Sequence, residues 1–158
     1  SKVTSATDRK AIIAQLKSDT EQRMAQMQSL VTKMFAKQGI TIGTADDMWK
    51  ALANGNFTAD ADTIAQAKED ISEDGYWGVN QTSDRLLDFA VALSGGDEEN
   101  MKKMVSAVEK GFKEATKSWG KDLPSISNDT YSATMKKFDQ WFSDNGYSTK
   151  TSDILGNN

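Results

Sequence analysis

The chain has 158 residues, a formal net charge of −4, and neither cysteine nor histidine. The length suits one domain with a core of several helices, and thirteen aromatics with seven methionines supply large apolar side chains for it. The missing residue types exclude disulfides, thiolate nucleophiles, thiolate or imidazole metal sites, and every triad that uses an imidazole base.

Cutting the chain in three shows how the charge is spread. Residues 1–39 carry seven basic and three acidic side chains (+4), residues 40–100 carry three and thirteen (−10), and residues 101–158 carry nine and seven (+2). An acidic middle argues against a nucleic-acid partner, which would need a basic stripe. No run of eighteen apolar residues is present, so no membrane span is expected, and a soluble, cytoplasmic chain is the expectation. The start at Ser1, without methionine, leads us to expect that upstream residues have been removed.

Ser5 and Asp8 form a capping-box pattern that opens a helix able to run to Lys37 before Gly39. Roughly thirty residues of helix would span about 45 Å. Ile13, Leu16, Met24, Met27, Val31 and Met34 make a heptad-like seam along it, with Thr20 in the one long gap. That seam is expected to pack on the rest of the domain, and self-association through this helix is the sharper alternative. Ile40–Gly43 reads as a connector. A second capping box, Thr44 to Asp47, starts a short helix with Met48, Trp49 and Leu52 that ends at Asn54-Gly55. Phe57 leads to Thr58 or Asp60 as cap of a third helix reaching Ile71, with Ile64, Ala67, Lys68 and Ile71 as a narrow apolar stripe.

After a loop, Asn80 or Thr82 is expected to cap a fourth helix that is apolar over most of its circumference and hence the most buried. A fifth helix opens at Asp97 and shows Met101, Met104, Val105, Val108, Phe112, Ala115 and Trp119 on one face. Gly111 beside Phe112 would admit a neighbouring helix. Pro124 lies in a turn, Ser127 is the expected cap of a last helix, and that helix carries Tyr131, Met135, Phe138, Trp141 and Phe142. The reading is an all-α bundle of five to six helices with a long N-terminal helix, one domain over residues 1–158, with residues 1–5 and 145–158 frayed.

The loop that begins at Asp70 holds the strongest candidate site. Asp70, Ser72 and Asp74 alternate oxygen-bearing side chains, Gly75 permits a sharp turn, and the Tyr76 carbonyl stands where an EF-hand calcium loop takes a backbone ligand. Gln81 holds the twelfth position in place of the usual bidentate glutamate, no aromatic precedes Asp70, and no second such loop exists. The first reading is therefore a structural turn in which Tyr76 and Trp77 plug the core; the alternative is a degenerate calcium or magnesium loop ligated by Asp70, Ser72, Asp74, Tyr76 and Gln81. Asp84 and Asp88, one helical turn apart, form a carboxylate pair read as solvated. The tryptophans Trp49, Trp77, Trp119 and Trp141 are read as core in preference to a ligand groove.

ISEDGYWGVNQTSDRLLDFAVALSGGD, followed by GFKEATKSWGKDLPSISNDTYSATMKKFDQW, resembles a family of uncharacterised bacterial proteins associated with Firmicutes. The resemblance covers about residues 71–141, with a looser echo in the first helix and in GTADDMWKAL. It implies a bacterial source and a helical domain, often preceded by a further N-terminal segment, and it brings no activity, cofactor or catalytic residue. The functional expectation is a non-enzymatic interaction or structural module, with a calcium-responsive module as the alternative.

Overall fold

The computed structural model describes residues 5–156. They form seven helices and no strand: α1 (Ala6–Ala36), α2 (Ala45–Asn54), α3 (Ala61–Asp70), α4 (Val79–Ser94), α5 (Glu98–Trp119), α6 (Ser125–Asp144) and α7 (Thr151–Leu155). The all-α bundle with a long first helix is thus the observed fold. None of these helices is long and apolar enough to cross a membrane.

Local chemistry sets most of the starts. Ser5, Thr44, Asp60 and Asp97 each accept a hydrogen bond from the backbone N–H three residues on, satisfying a donor that the first turn leaves open. Two starts differ from expectation. α4 begins at Val79, after Gly78, with no side-chain cap, so neither Asn80 nor Thr82 serves. α6 begins at Ser125, directly after Pro124, whose ring holds the backbone extended there; Ser127 lies inside the first turn and donates its N–H to the Pro124 carbonyl.

The core lies where α4, α5, α6 and α7 meet. Ala90, Met101, Val105, Met135, Phe138, Trp141 and Phe142 are buried together, with Leu87, Val91, Met104, Val108 and Tyr131 packed around them. α6, with four large apolar side chains buried, is the most deeply set helix. α4 was expected to hold that place, but it turns Ser83, Ala90, Ala92 and Ser94 inward and leaves Leu93 47% exposed. Small residues on its inner face let α1 and α6 both approach α4. Gly111 does not have that role, since it is exposed and a Cβ there would meet nothing within 4 Å.

The tail also departs from the expected fraying. Tyr147 packs against Trp141 with ring centroids 6.1 Å apart, and Ile154 and Leu155 of α7 join the core. Asp139 holds the start of α7 by accepting from the Thr151 N–H at 2.8 Å and its hydroxyl at 3.1 Å. The sequence there is polar because α7 needs only two apolar side chains to cover the α5–α6 end. Of residues 1–5, where the other frayed end was expected, Ser5 caps α1 and residues 1–4 lie outside the described residues, as do residues 157 and 158 of the tail.

The seam of α1 is used within the chain. Ile13, Leu16, Thr20, Met24, Met27 and Val31 are half-buried, Met34 is buried, and α1 packs along α4 and touches α2. At its start, Arg9 donates from Nε to the Ala92 carbonyl at 2.9 Å and from Nη2 to Leu93 at 3.2 Å, so a cation closes the C-terminal end of α4. At its other end, Phe35 is buried against Phe57 in an edge-to-face contact at 5.2 Å, and Met48 and Ala53 of α2 are buried as well.

Candidate functional site

The loop between α3 and α4 is a stack of tight turns. Gly75 donates to Ser72, Gly78 donates to Gly75, and the Trp77 N–H reaches back to the Asp70 carbonyl at 2.8 Å. A Cβ on Gly75 would lie 2.3 Å from the Glu69 carbonyl oxygen, and one on Gly78 would lie 2.2 Å from that of Ser72. Both positions need glycine for space, since neither has a positive φ.

The five residues expected to ligate a cation are brought near one another around one groove, and several of their polar groups bond locally. Asp70 Oδ1 accepts from Gln66 at 2.9 Å, the Ser72 hydroxyl donates to the Glu69 carbonyl at 2.6 Å, and Gln81 Nε2 donates to the Asp74 carbonyl at 2.5 Å. The Tyr76 carbonyl accepts a long bond of 3.4 Å from Thr82. Asp70, Ser72, Asp74, Tyr76 and Gln81 share their groove with Arg23 from α1, a fixed positive charge. No group of three or more acidic side chains converges for a metal among the described residues. A calcium shell takes six or more oxygens around one point; of the expected ligands, one Asp70 oxygen and the Ser72 hydroxyl are bonded to neighbours instead.

Tyr76 and Trp77 do not plug the main core. Both are half-buried and meet edge to face at 4.9 Å. The Tyr76 ring faces two guanidiniums, Arg85 at 3.6 Å and Arg23 at 4.5 Å from its centroid, and Arg85 also lies 5.5 Å from the Trp77 ring. These contacts tie α1, the loop and α4 together through cation–π attraction, each worth about 0.5–2 kcal/mol depending on desolvation. Burial pushes the Arg85 pKa down, Tyr76 opposes that, and Arg23 adds to it. The Tyr76 hydroxyl is buried without a hydrogen-bond partner. An exposed and a half-buried arginine against one aromatic ring make a clasp, and the aromatic pair after a turn was its only sign in the sequence.

Of the other candidates, Asp84 pairs with Lys137 of α6. Asp88, one turn on, has its pKa raised by burial first and by Asp84 second, with Lys137 opposing. Lys137 is thus the polar group that meets the two carboxylates, and it links α4 to α6. Trp141 alone of the four tryptophans is buried in the core; Trp77 lines a shallow groove with Phe112, Ile126 and Thr130.

α3 is the element whose behaviour the pattern did not reveal. It buries no residue and does not pack extensively on any other helix. Its half-buried positions are Thr63 and Asp70, and Thr63 and Gln66 face a groove of about 620 Å³ against Leu30, Lys33, Met34 and Lys37 of α1. With about 100° per residue, the stripe of Ile64, Ala67, Lys68 and Ile71 centres roughly a third of a turn around the helix from Thr63, Gln66 and Asp70, beside the groove and not in it. Ile64 is 43% exposed and Ile71 51% exposed. The groove side of α3 is thus polar, and its apolar stripe is left on an uncovered flank, unlike that of an ordinary amphipathic surface helix.

Both ends of α3 are anchored. Before it, Thr58 is held by the Gln38 side-chain amide, which accepts from the Thr58 N–H at 2.7 Å and donates to its carbonyl, while Phe57 is anchored on Phe35. After it, the glycine turns fix the chain. α3 is therefore held at both ends by contacts outside its own stripe. No protein-family model matches the chain, and neither a curated protein nor a solved structure matches it.

Proposed function

We propose that this chain is a non-enzymatic helical interaction module that docks a protein partner through α3. The carrying observation is the outward stripe of Ile64 and Ile71 on a helix held at both ends. A ten-residue helix is marginal in water without packing, so a fold that keeps one in place with its apolar side uncovered has a surface whose burial is favourable. Covering the exposed part of each isoleucine would contribute roughly 1 kcal/mol. The rest of the bundle serves as a rigid platform, with the arginine clasp at Tyr76 fixing where α3 leaves for α4.

The test is a photo-crosslinking residue at position 64 of the full chain in its native host, compared with one at position 103 on the exposed side of α5. A discrete adduct from position 64 and none from 103 is the expected result. Absence of any adduct at 64 would remove the docking surface from this reading.

A further inference from the structure

We propose that Arg23 and Arg85, brought from α1 and α4 to the ring of Tyr76, form a binding site for a phosphoryl group. This site does not depend on the docking role given to α3. The two guanidinium carbons lie 4.5 and 3.6 Å from one ring centroid, so they are no more than about 8 Å apart. One phosphate can bridge that span, because each fork reaches an oxygen with N···O bonds of about 2.7–2.9 Å. No ion pair among the described residues uses either guanidinium. Arg85 Nη2 donates to the Thr82 hydroxyl at 3.2 Å, and most of the five N–H donors of that side chain are left for a further acceptor.

Three features of this place are unfavourable, and one bound group relieves them all. Two like charges share an aromatic ring. Burial and Arg23 both disfavour the charge on Arg85, with only Tyr76 opposing them. The Tyr76 hydroxyl, a donor, is buried without a hydrogen-bond partner among the described residues. Donors from three side chains suit a tetrahedral group with acceptors on every side better than a flat carboxylate, and a charge of about −2 matches two cations. Access is through a groove of about 490 Å³ that Tyr76 shares with the exposed Arg23. Asp19, Glu69 and Asp74 on the flanking grooves are exposed, so water and salt screen their repulsion.

Isothermal titration of the full chain with inorganic phosphate, against sodium chloride of matched ionic strength, tests the site. Saturable binding of one phosphate per chain is expected, with a Tm that rises as phosphate is added, since a ligand of the folded state stabilises it. Arg23→Gln should keep the native circular-dichroism spectrum and weaken binding at least about tenfold. Arg23→Lys keeps the charge, loses the fork and should recover part of that loss. Phenyl phosphate binding more tightly than the free ion identifies a phosphate ester as the source, and equal binding identifies inorganic phosphate. No heat and no rise in Tm beyond the salt control up to about 20 mM phosphate overturns the site. Acetate binding as tightly as phosphate, or phosphate binding that is unchanged in both Arg23→Gln and Arg85→Gln, overturns it as well.

Discussion

The α4–α7 half of the molecule and α3 apply the same helical pattern to opposite ends. In α6, Met135, Phe138, Trp141 and Phe142 recur at helical spacing and all are buried. In α3, Ile64, Ala67 and Ile71 recur at the same spacing and face outward. Periodicity identifies a helix and its apolar side in both cases. It does not give the direction in which that side points, and α3 is held by Gln38, Phe57 and the glycine turns, outside its own stripe.

Substitutions can break or sharpen this contrast. The largest effect is expected at Phe138, which is fully buried: Phe138→Ala removes a ring from the centre of the core and should lower unfolding stability by about 3–5 kcal/mol in urea titrations. Gly75→Ala comes next. Its Cβ would collide with the Glu69 and Asp70 carbonyls, so the anchor after α3 must open, at a cost of about 1–3 kcal/mol and with faster amide exchange over residues 71–78. The Asp88 carboxyl, whose pKa is raised, makes a smaller contribution of opposite sign. The folded state holds its proton more tightly than the unfolded chain does, so this group favours folding at low pH and loses that benefit as pH rises above the ordinary value of 3.8. Asp88→Asn should therefore raise the Tm slightly at neutral pH, with the gain shrinking as pH approaches 4. At the other end of the scale, Ile64→Ala should leave the melting curve of the monomer within about 0.5 kcal/mol of the native one. A loss comparable to that at Phe138 would show that α3 is packed after all.

Much of the fold was legible because it rests on local chemistry. The capping residues Ser5, Thr44, Asp60 and Asp97 act on donors three residues away, and the α1 seam follows from spacing alone. The misread elements depend on distant partners. Tyr147, Ile154 and Leu155 look like a polar tail until Trp141 and the α5–α6 end are beside them. Tyr76 and Trp77 look like core residues because nothing in their neighbourhood of sequence announces Arg23, some fifty positions earlier. In the 70–81 loop, alternating oxygens suggested a cation shell, and the fold shows what spacing did not: Asp70 and Ser72 bond to Gln66 and to the Glu69 carbonyl. Spacing shows which atoms can converge; it does not show which neighbour reaches them first.

The bond from Arg9 to the end of α4 has a consequence for how the chain is made. The guanidinium waits for the carbonyls of Ala92 and Leu93, 83 and 84 positions downstream. At ribosomal rates of roughly 5–20 residues per second, several seconds pass between the two being synthesised. Throughout that interval the nascent α1 has no α4 to lie against, and its methionine-rich side is open to whatever chaperone meets it at the exit tunnel.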